Sequence, residues 1–254
     1  MGKIVSIVNQ KGGVGKTTTA INLCAYLAEF GKFVLLVDMD PQANATSGLG
    51  IDYQNIDYGL YEVLIGEKYF KDIVLPTKHQ GFRIAPATPN LAGAGVEMVG
   101  LDRREFRLQD ALLEVKGDYD YIFIDCPPSL GLLTLNSLVA ADEILIPVQA
   151  EYYALEGLGQ LMYTVDLVKE NLKPEIDIMG AVITMFDKRN NLSEQIMNEL
   201  YQYFPNKIFR SVVPRNVRLT EAPSHGLSII HYDAASSGSK AYERLAREII
   251  DLEK

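Results

Sequence analysis

The chain has no tryptophan, three histidines and two cysteines in 254 residues. The two cysteines, Cys24 in a helical stretch and Cys126 just after a strand, are too few and too widely spaced for a disulfide framework or a zinc site. A reducing compartment is the expectation. His79, His225 and His231 are scattered too far in sequence to outline a site, and no Ser-His-Asp spacing is legible. No run of about 18 apolar residues is present, so no membrane-spanning helix is expected. A core strand beginning at Lys3 leaves no room for a signal peptide, and the expected location is the cytoplasm. Positive charge is also short: 24 Lys and Arg against 33 Asp and Glu give a net charge of −9. A dedicated nucleic-acid binder needs clustered cations, so the chain as a whole is not one, although a local basic face stays open. Repeats and low-complexity segments are missing, and 48% hydrophobic with 22% charged residues describes an ordinary globule.

What is present begins at residues 9 to 19, Asn-Gln-Lys-Gly-Gly-Val-Gly-Lys-Thr-Thr-Thr. The preceding Lys3 to Val8 is a short β-branched run, and Thr17 to Phe30 carries apolar residues at helical spacing. A glycine-rich turn between a strand and a helix is the setting of a phosphate-binding P-loop. Backbone N–H groups of Gly12, Gly13, Val14, Gly15, Lys16, Thr17 and Thr18, with the positive end of the helix, are expected to cradle the phosphates of ATP. Lys16 is placed at the β and γ phosphates, and the Thr17 hydroxyl at one position around Mg²⁺. The pattern G-x-x-x-x-G-K-[ST] fits only with its first glycine relaxed, because Gln10 stands there. Lys11, five residues before Lys16, is an additional cation in the loop.

Further along, Phe33 to Asp38 reads as a buried parallel strand, ending in Asp38-Met39-Asp40-Pro41-Gln42. Residues 43–58 are expected as an irregular loop able to respond to nucleotide. Gly59 to Ile65 reads as a short helix, Ile73 to Leu75 and Phe82 to Ala85 as brief strands, and Asp102 to Val115 as a helix. Tyr119 to Asp125 is an apolar strand closing on an acid, the Walker B form, which places Asp125 near the water shell of Mg²⁺. Helices are then expected over Leu132–Ala140, Leu155–Lys169, Glu194–Phe204 and Gly238–Leu252. Strands are expected over Glu143–Val148, Ile178–Met185 and Ile208–Val213. This alternation predicts an α/β fold: a single-domain P-loop NTPase over residues 1–254, with a mostly parallel twisted sheet covered by helices on both faces. Met1 to Ser6 also fits the myristoylation pattern, a chance match in a segment that leads straight into the first strand.

Four motifs in order, KGGVGKTT with its extra lysine, DMDPQ, DCPPS and VVPRNVRLTEAPSHG, resemble the ParA/Soj family of partition ATPases, in the deviant Walker A class that also contains MinD. The resemblance runs over nearly the whole chain and implies further roles. Lys11 reaches across a nucleotide-sandwich homodimer to the partner's phosphates, and Asp40 positions the hydrolytic water. Asp38 takes a place in the Mg²⁺ shell, and Pro214 with Asn216 forms the adenine side. It also implies ATP-dependent, sequence-independent binding of double-stranded DNA through basic residues near the carboxyl end. Residues 188–218 hold six basic residues against two acidic ones, and Arg189, Arg210, Arg215 and Arg218 are the candidates, which Lys240, Arg244 and Arg247 extend. A ParB-type centromere-binding partner is the implied stimulator of hydrolysis, and the implied location is cytoplasmic and nucleoid-associated. No helix-turn-helix precedes the P-loop, so operator-specific repression is not expected. A MinD-like membrane ATPase is the alternative, but the amphipathic stretch 240–254 lacks a basic tail for anionic lipids, and no stable membrane association is expected. An iron–sulfur reductase would need paired cysteines after Cys126, which are missing. A dethiobiotin-synthetase-like ligase would need a small-molecule pocket.

Overall fold

A computed structural model describes residues 2–151, 154–187, 189, 196–197, 199–202 and 204–252, without the side chains of 154–156. Seven strands form one sheet: β1 (Lys3–Ile7), β2 (Val34–Asp38), β3 (Leu75–Pro76), β4 (Phe82–Ala85), β5 (Tyr121–Asp125), β6 (Glu143–Gln149) and β7 (Asp177–Thr184). Their order is β3-β4-β2-β5-β1-β6-β7, all parallel except the β3–β4 pair. The inner strands VLLVD and YIFID are buried at every position, as a sheet covered on both faces requires. β1 lies between β5 and β6, so the chain leaves it to one side for β2 and later returns to its other side. That reversal opens a crevice at the carboxyl ends of the strands, where open α/β sheets bind ligands. Register places Asp125 opposite both Ile7 and Asp38, so two acids meet on that edge.

On one face, α1 (Lys16–Glu29) packs against the last described helix, named α10 below, through Leu23, Leu27, Tyr242, Leu245 and Ile249. The other face is covered by α3 (Leu60–Ile65), α4 (Leu91–Glu97), α5 (Arg107–Leu112), α6 (Leu132–Ala140) and α7 (Ala154–Asn171). Short α2 (Asn44–Gly48) follows β2, and α8 (Val217–Glu221), α9 (Ile229–Asp233) and α10 (Ser237–Asp251) come after β7. The α/β prediction therefore holds, with boundaries mostly within two residues.

The differences have local causes. The expected loop at 43–58 contains α2, entered through Ala43 at φ 53° and tied to the sheet by Thr46. The helix expected over Asp102–Val115 is interrupted at Arg103, φ 53°, and only Arg107–Leu112 is α-helical. Ile208–Val213 is no continuous strand: Ile208 bridges Ala181 of β7, and just past the segment Pro214 bridges Phe186, beyond the end of β7. Between those contacts, Arg210 N–H and Ser211 Oγ turn to the Glu248 carboxylate of α10, at 2.9 Å each. The helix expected over Glu194–Phe204 falls partly outside the described residues, of which 196–197 and 199–202 are helical. Gly2 is buried, and its N–H donates to Lys116 O at 3.3 Å, so this end of the chain is docked on the fold.

Candidate active site

The loop from β1 to α1 is held at three points. Asn9 Nδ2 donates to Pro147 O at 2.8 Å, and Asn9 Oδ1 accepts from Lys11 N–H at 3.0 Å. Thr184, at the end of β7, donates its hydroxyl to Val14 O at 2.7 Å. Gly13 and Gly15 lie at φ +76° and +90°, a left-handed conformation that side chains disfavour. Gly15 is the N-cap of α1 and offers no capping side chain, so the first-turn N–H groups are left for an anion. In front of them lies a cavity of about 900 Å³ whose lining includes Gly12, Lys16, Thr17, Asp40, Thr184 and Pro214. Lys16 is buried and donates to Lys11 O at 3.4 Å. Burial lowers its pKa, while Asp125, Cys126 and Asp40 pull the other way.

The acids divide their work. Asp125 is fully buried, and neither carboxylate oxygen meets a hydrogen-bond partner. Burial, then the charge of Asp38, raises its pKa well above the carboxylate range. The nearby Thr17 hydroxyl and Lys16 ammonium oppose that rise. Asp38 is equally buried but committed: Oδ2 accepts from Thr46 N–H at 2.8 Å and Thr46 Oγ1 at 2.6 Å, and Oδ1 from Asp40 N–H at 3.3 Å. Burial pushes Asp38 up to about 6, and the Thr46 bonds restrain it. Thr46 Oγ1 in turn accepts from Ala87 N–H at 3.1 Å, so Asp38 fastens α2 to the strand ends. Asp40 lines the cavity and accepts from Gln42 N–H at 3.0 Å.

An unpartnered buried carboxylate beside a hydroxyl, a lysine and an uncapped helix start is the donor set for a magnesium-bound nucleoside triphosphate. Among the described residues no three His, Cys, Asp or Glu side chains converge on a cation position. Mg²⁺ is commonly held by one or two protein groups together with substrate phosphates. The residues fit the group.

Pro214, Arg215 and Asn216 form the opposite rim. The Asn216 side chain is already engaged: Oδ1 accepts from Arg218 N–H at 2.8 Å, capping α8, and Nδ2 donates to Ser237 Oγ at 2.8 Å. One Nδ2 hydrogen is left for a base. The four candidate arginines do not gather into one free cluster. Arg189 pairs with Asp187 at 2.8 Å, Arg215 with Glu151 at 3.5 Å, and Arg218 with Glu221 at 2.8 Å and Asp233 at 3.5 Å. Arg210 is exposed. Lys11 Nζ lies 3.3 Å from Glu151 Oε2. Thr184, Thr46 and Glu151 were not legible as site residues. The histidines, unrelated by spacing, do meet in part: His79 and His231 stack with ring centroids 3.9 Å apart.

Residues 2–178 match the family described as an AAA domain. The chain is 55% identical over 250 residues to the chromosome partitioning protein ParA of Myxococcus xanthus, covering 98% of this chain and 88% of that protein. It is 54% identical over 249 residues to the sporulation initiation inhibitor protein Soj of Bacillus subtilis, covering 98% of each. Among solved structures, cobyrinic acid a,c-diamide synthase of Mycobacterium smegmatis with bound ADP and magnesium superimposes with a TM-score of 0.87. It is 34% identical, over 98% of this chain and 94% of that one. MinD of Pyrococcus horikoshii with Mg-ADP gives 0.81 at 26% identity, over 100% and 98%. The architecture is thus shared across several activities, while sequence identity is highest toward the partition proteins among these. With its P-loop, its Walker B acid and 54–55% identity along almost its full length, the chain belongs to the ParA/Soj family of partition ATPases, which use ATP and Mg²⁺.

Proposed function

We propose that this chain closes with a second copy around two ATP molecules, that the closed homodimer binds double-stranded DNA without sequence preference, and that hydrolysis stimulated by a ParB-type partner releases it. The observation that carries this reading is the position of Lys11. Its ammonium lies on the outer rim of the P-loop, whereas Lys16 lines the cavity. A cation on the rim is suited to a neighbour's phosphates, and two triphosphates brought face to face repel unless each side lends such a charge.

Within each site, Lys16 and the first-turn N–H groups of α1 bind the β and γ phosphates. Thr17 and Asp125 hold Mg²⁺, which neutralises charge on the phosphates when bound. Asp40 orients the attacking water, and Asp38 positions Asp40 and α2 through the hydrogen bonds given above. Pro214 presents a rigid edge to the adenine. Positioning and charge stabilisation account for the catalysis.

For DNA, Arg210, Lys240 and Arg244 present exposed cations, and Arg189, Arg215 and Arg218 present ion-paired ones. Such surface pairs are weak and open readily to phosphate. The apolar face of α10, with Ala241, Tyr242, Leu245, Ala246 and Ile249, is buried in the fold. That face is not free for a lipid surface, which argues against the membrane reading.

The test is DNA binding by Asp40→Ala with ATP, with ADP and without nucleotide at one fixed salt concentration. Binding confined to ATP is the expected result. Binding in no state, or equally in all three, refutes the cycle.

A further inference from the structure

Glu151 bridges the two rims of the nucleotide cavity. Its Oε2 lies 3.3 Å from Lys11 Nζ on the P-loop, and its Oε1 3.5 Å from Arg215 Nη2 on the adenine-side loop. Gln149 Nε2 donates to Oε1 at 2.5 Å, and Glu151 N–H donates to Gln149 O at 2.8 Å. The carboxylate is therefore carried on a tight turn directly after β6 and aimed between two cations. Arg215 belongs to the cavity lining, whereas Lys11 lies outside it.

We propose that Glu151 is a positioning residue for Lys11, an internal substitute for the phosphate charge of a second protomer. It holds the ammonium on the chain's own rim until a triphosphate carried by another copy of this chain displaces it. The idea rests on the trans role given to Lys11 above. One carboxylate shared between two cations satisfies neither fully, so a group bearing several negative charges outcompetes it. The side chains of Lys11 and Glu151 are 33% and 47% exposed, which keeps the pair weak, screened by salt and releasable. The hold also sets a threshold: a closing partner must offer more than a carboxylate does, which favours triphosphate over diphosphate.

The experiment measures the dimer dissociation constant with ATP by sedimentation, in an Asp40→Ala background that preserves the nucleotide. Two such holds break per dimer. Glu151→Gln, which keeps the shape and removes the charge, is expected to tighten the dimer about five- to tenfold at low salt. The gap between the two proteins should close toward unity as salt rises to about 0.5 M. A merely structural role for Glu151 would not give a salt-dependent gain. Lys11→Ala serves as the control. If Lys11→Ala dimerises normally, the trans-lysine reading falls and the latch with it. If Lys11→Ala fails to dimerise while Glu151→Gln is unchanged or weaker, the latch alone is refuted.

Discussion

Thr184→Val tests how far the phosphate loop depends on a residue 170 positions away. The Thr184 hydroxyl is the donor to Val14 O at 2.7 Å, and both residues are almost completely buried, at 2% and 1% exposure. Valine keeps the shape and removes the donor, leaving the Val14 carbonyl unsatisfied. A buried group left without its partner costs about 1–3 kcal/mol. Relaxed loop conformations, in which that carbonyl reaches water, gain by the same amount over the binding-competent one. The apparent dissociation constant rises as the competent fraction falls, about tenfold for each 1.4 kcal/mol. Calorimetric titration with a non-hydrolysable ATP analogue and Mg²⁺ is the assay. Thr184→Ser keeps the hydroxyl and should bind within about twofold of the parent, as a mild substitution does. Parent-like affinity in a folded Thr184→Val protein would mean that the glycine loop holds its shape unaided, and the bracing argument would be wrong.

Asp125→Asn is expected to raise the stability of the nucleotide-free protein by about 1 kcal/mol in urea melts, because it removes a carboxylate whose ionisation burial and Asp38 oppose more than Thr17 and Lys16 help, while hydrolysis is lost. Lower stability in that variant would contradict the strained-carboxylate account. His79 is held down to about 4 by burial and by His231 beside it, so the folded state favours the neutral ring. That contribution is complete above the unfolded value near 6.5 and is lost as pH falls toward 4. After screening by solvent at the exposed His231 side, moving from pH 6.5 to 5 should cost about 1 kcal/mol. His79→Phe should flatten that slope in thermal melts, and an unchanged slope would assign it to other groups.

The phosphate loop was legible because its chemistry is local. Left-handed glycines, a lysine and a threonine at fixed offsets have few other uses between a strand and a helix. Asp125 was legible for the same reason, as an acid ending an apolar strand. Thr184, Thr46 and Glu151 were hidden because their partners lie elsewhere, at Val14, Asp38 and Lys11. Nothing in the residues near Glu151 announces an ion pair 140 positions upstream. The β-branched and aromatic residues of 208–213 suggested a strand, but Glu248 captured part of that backbone. α4 was missed because LAGAGVE carries two glycines, which conceal a helical pattern. For Asn216 the resemblance gave the place, and the structure added its bonds to Arg218 and Ser237.

α1 and α10 are joined by Thr19–Tyr242 and Tyr26–Ser239 hydroxyl contacts, the first spanning 223 positions, and Tyr242 is also part of the cavity wall. During synthesis the loop that grips phosphate therefore emerges well before this wall of its cavity. A growing chain carries an open-sided nucleotide cleft until residue 242 has left the ribosome and docked. A nascent chain stalled before that point has an unfinished nucleotide cavity.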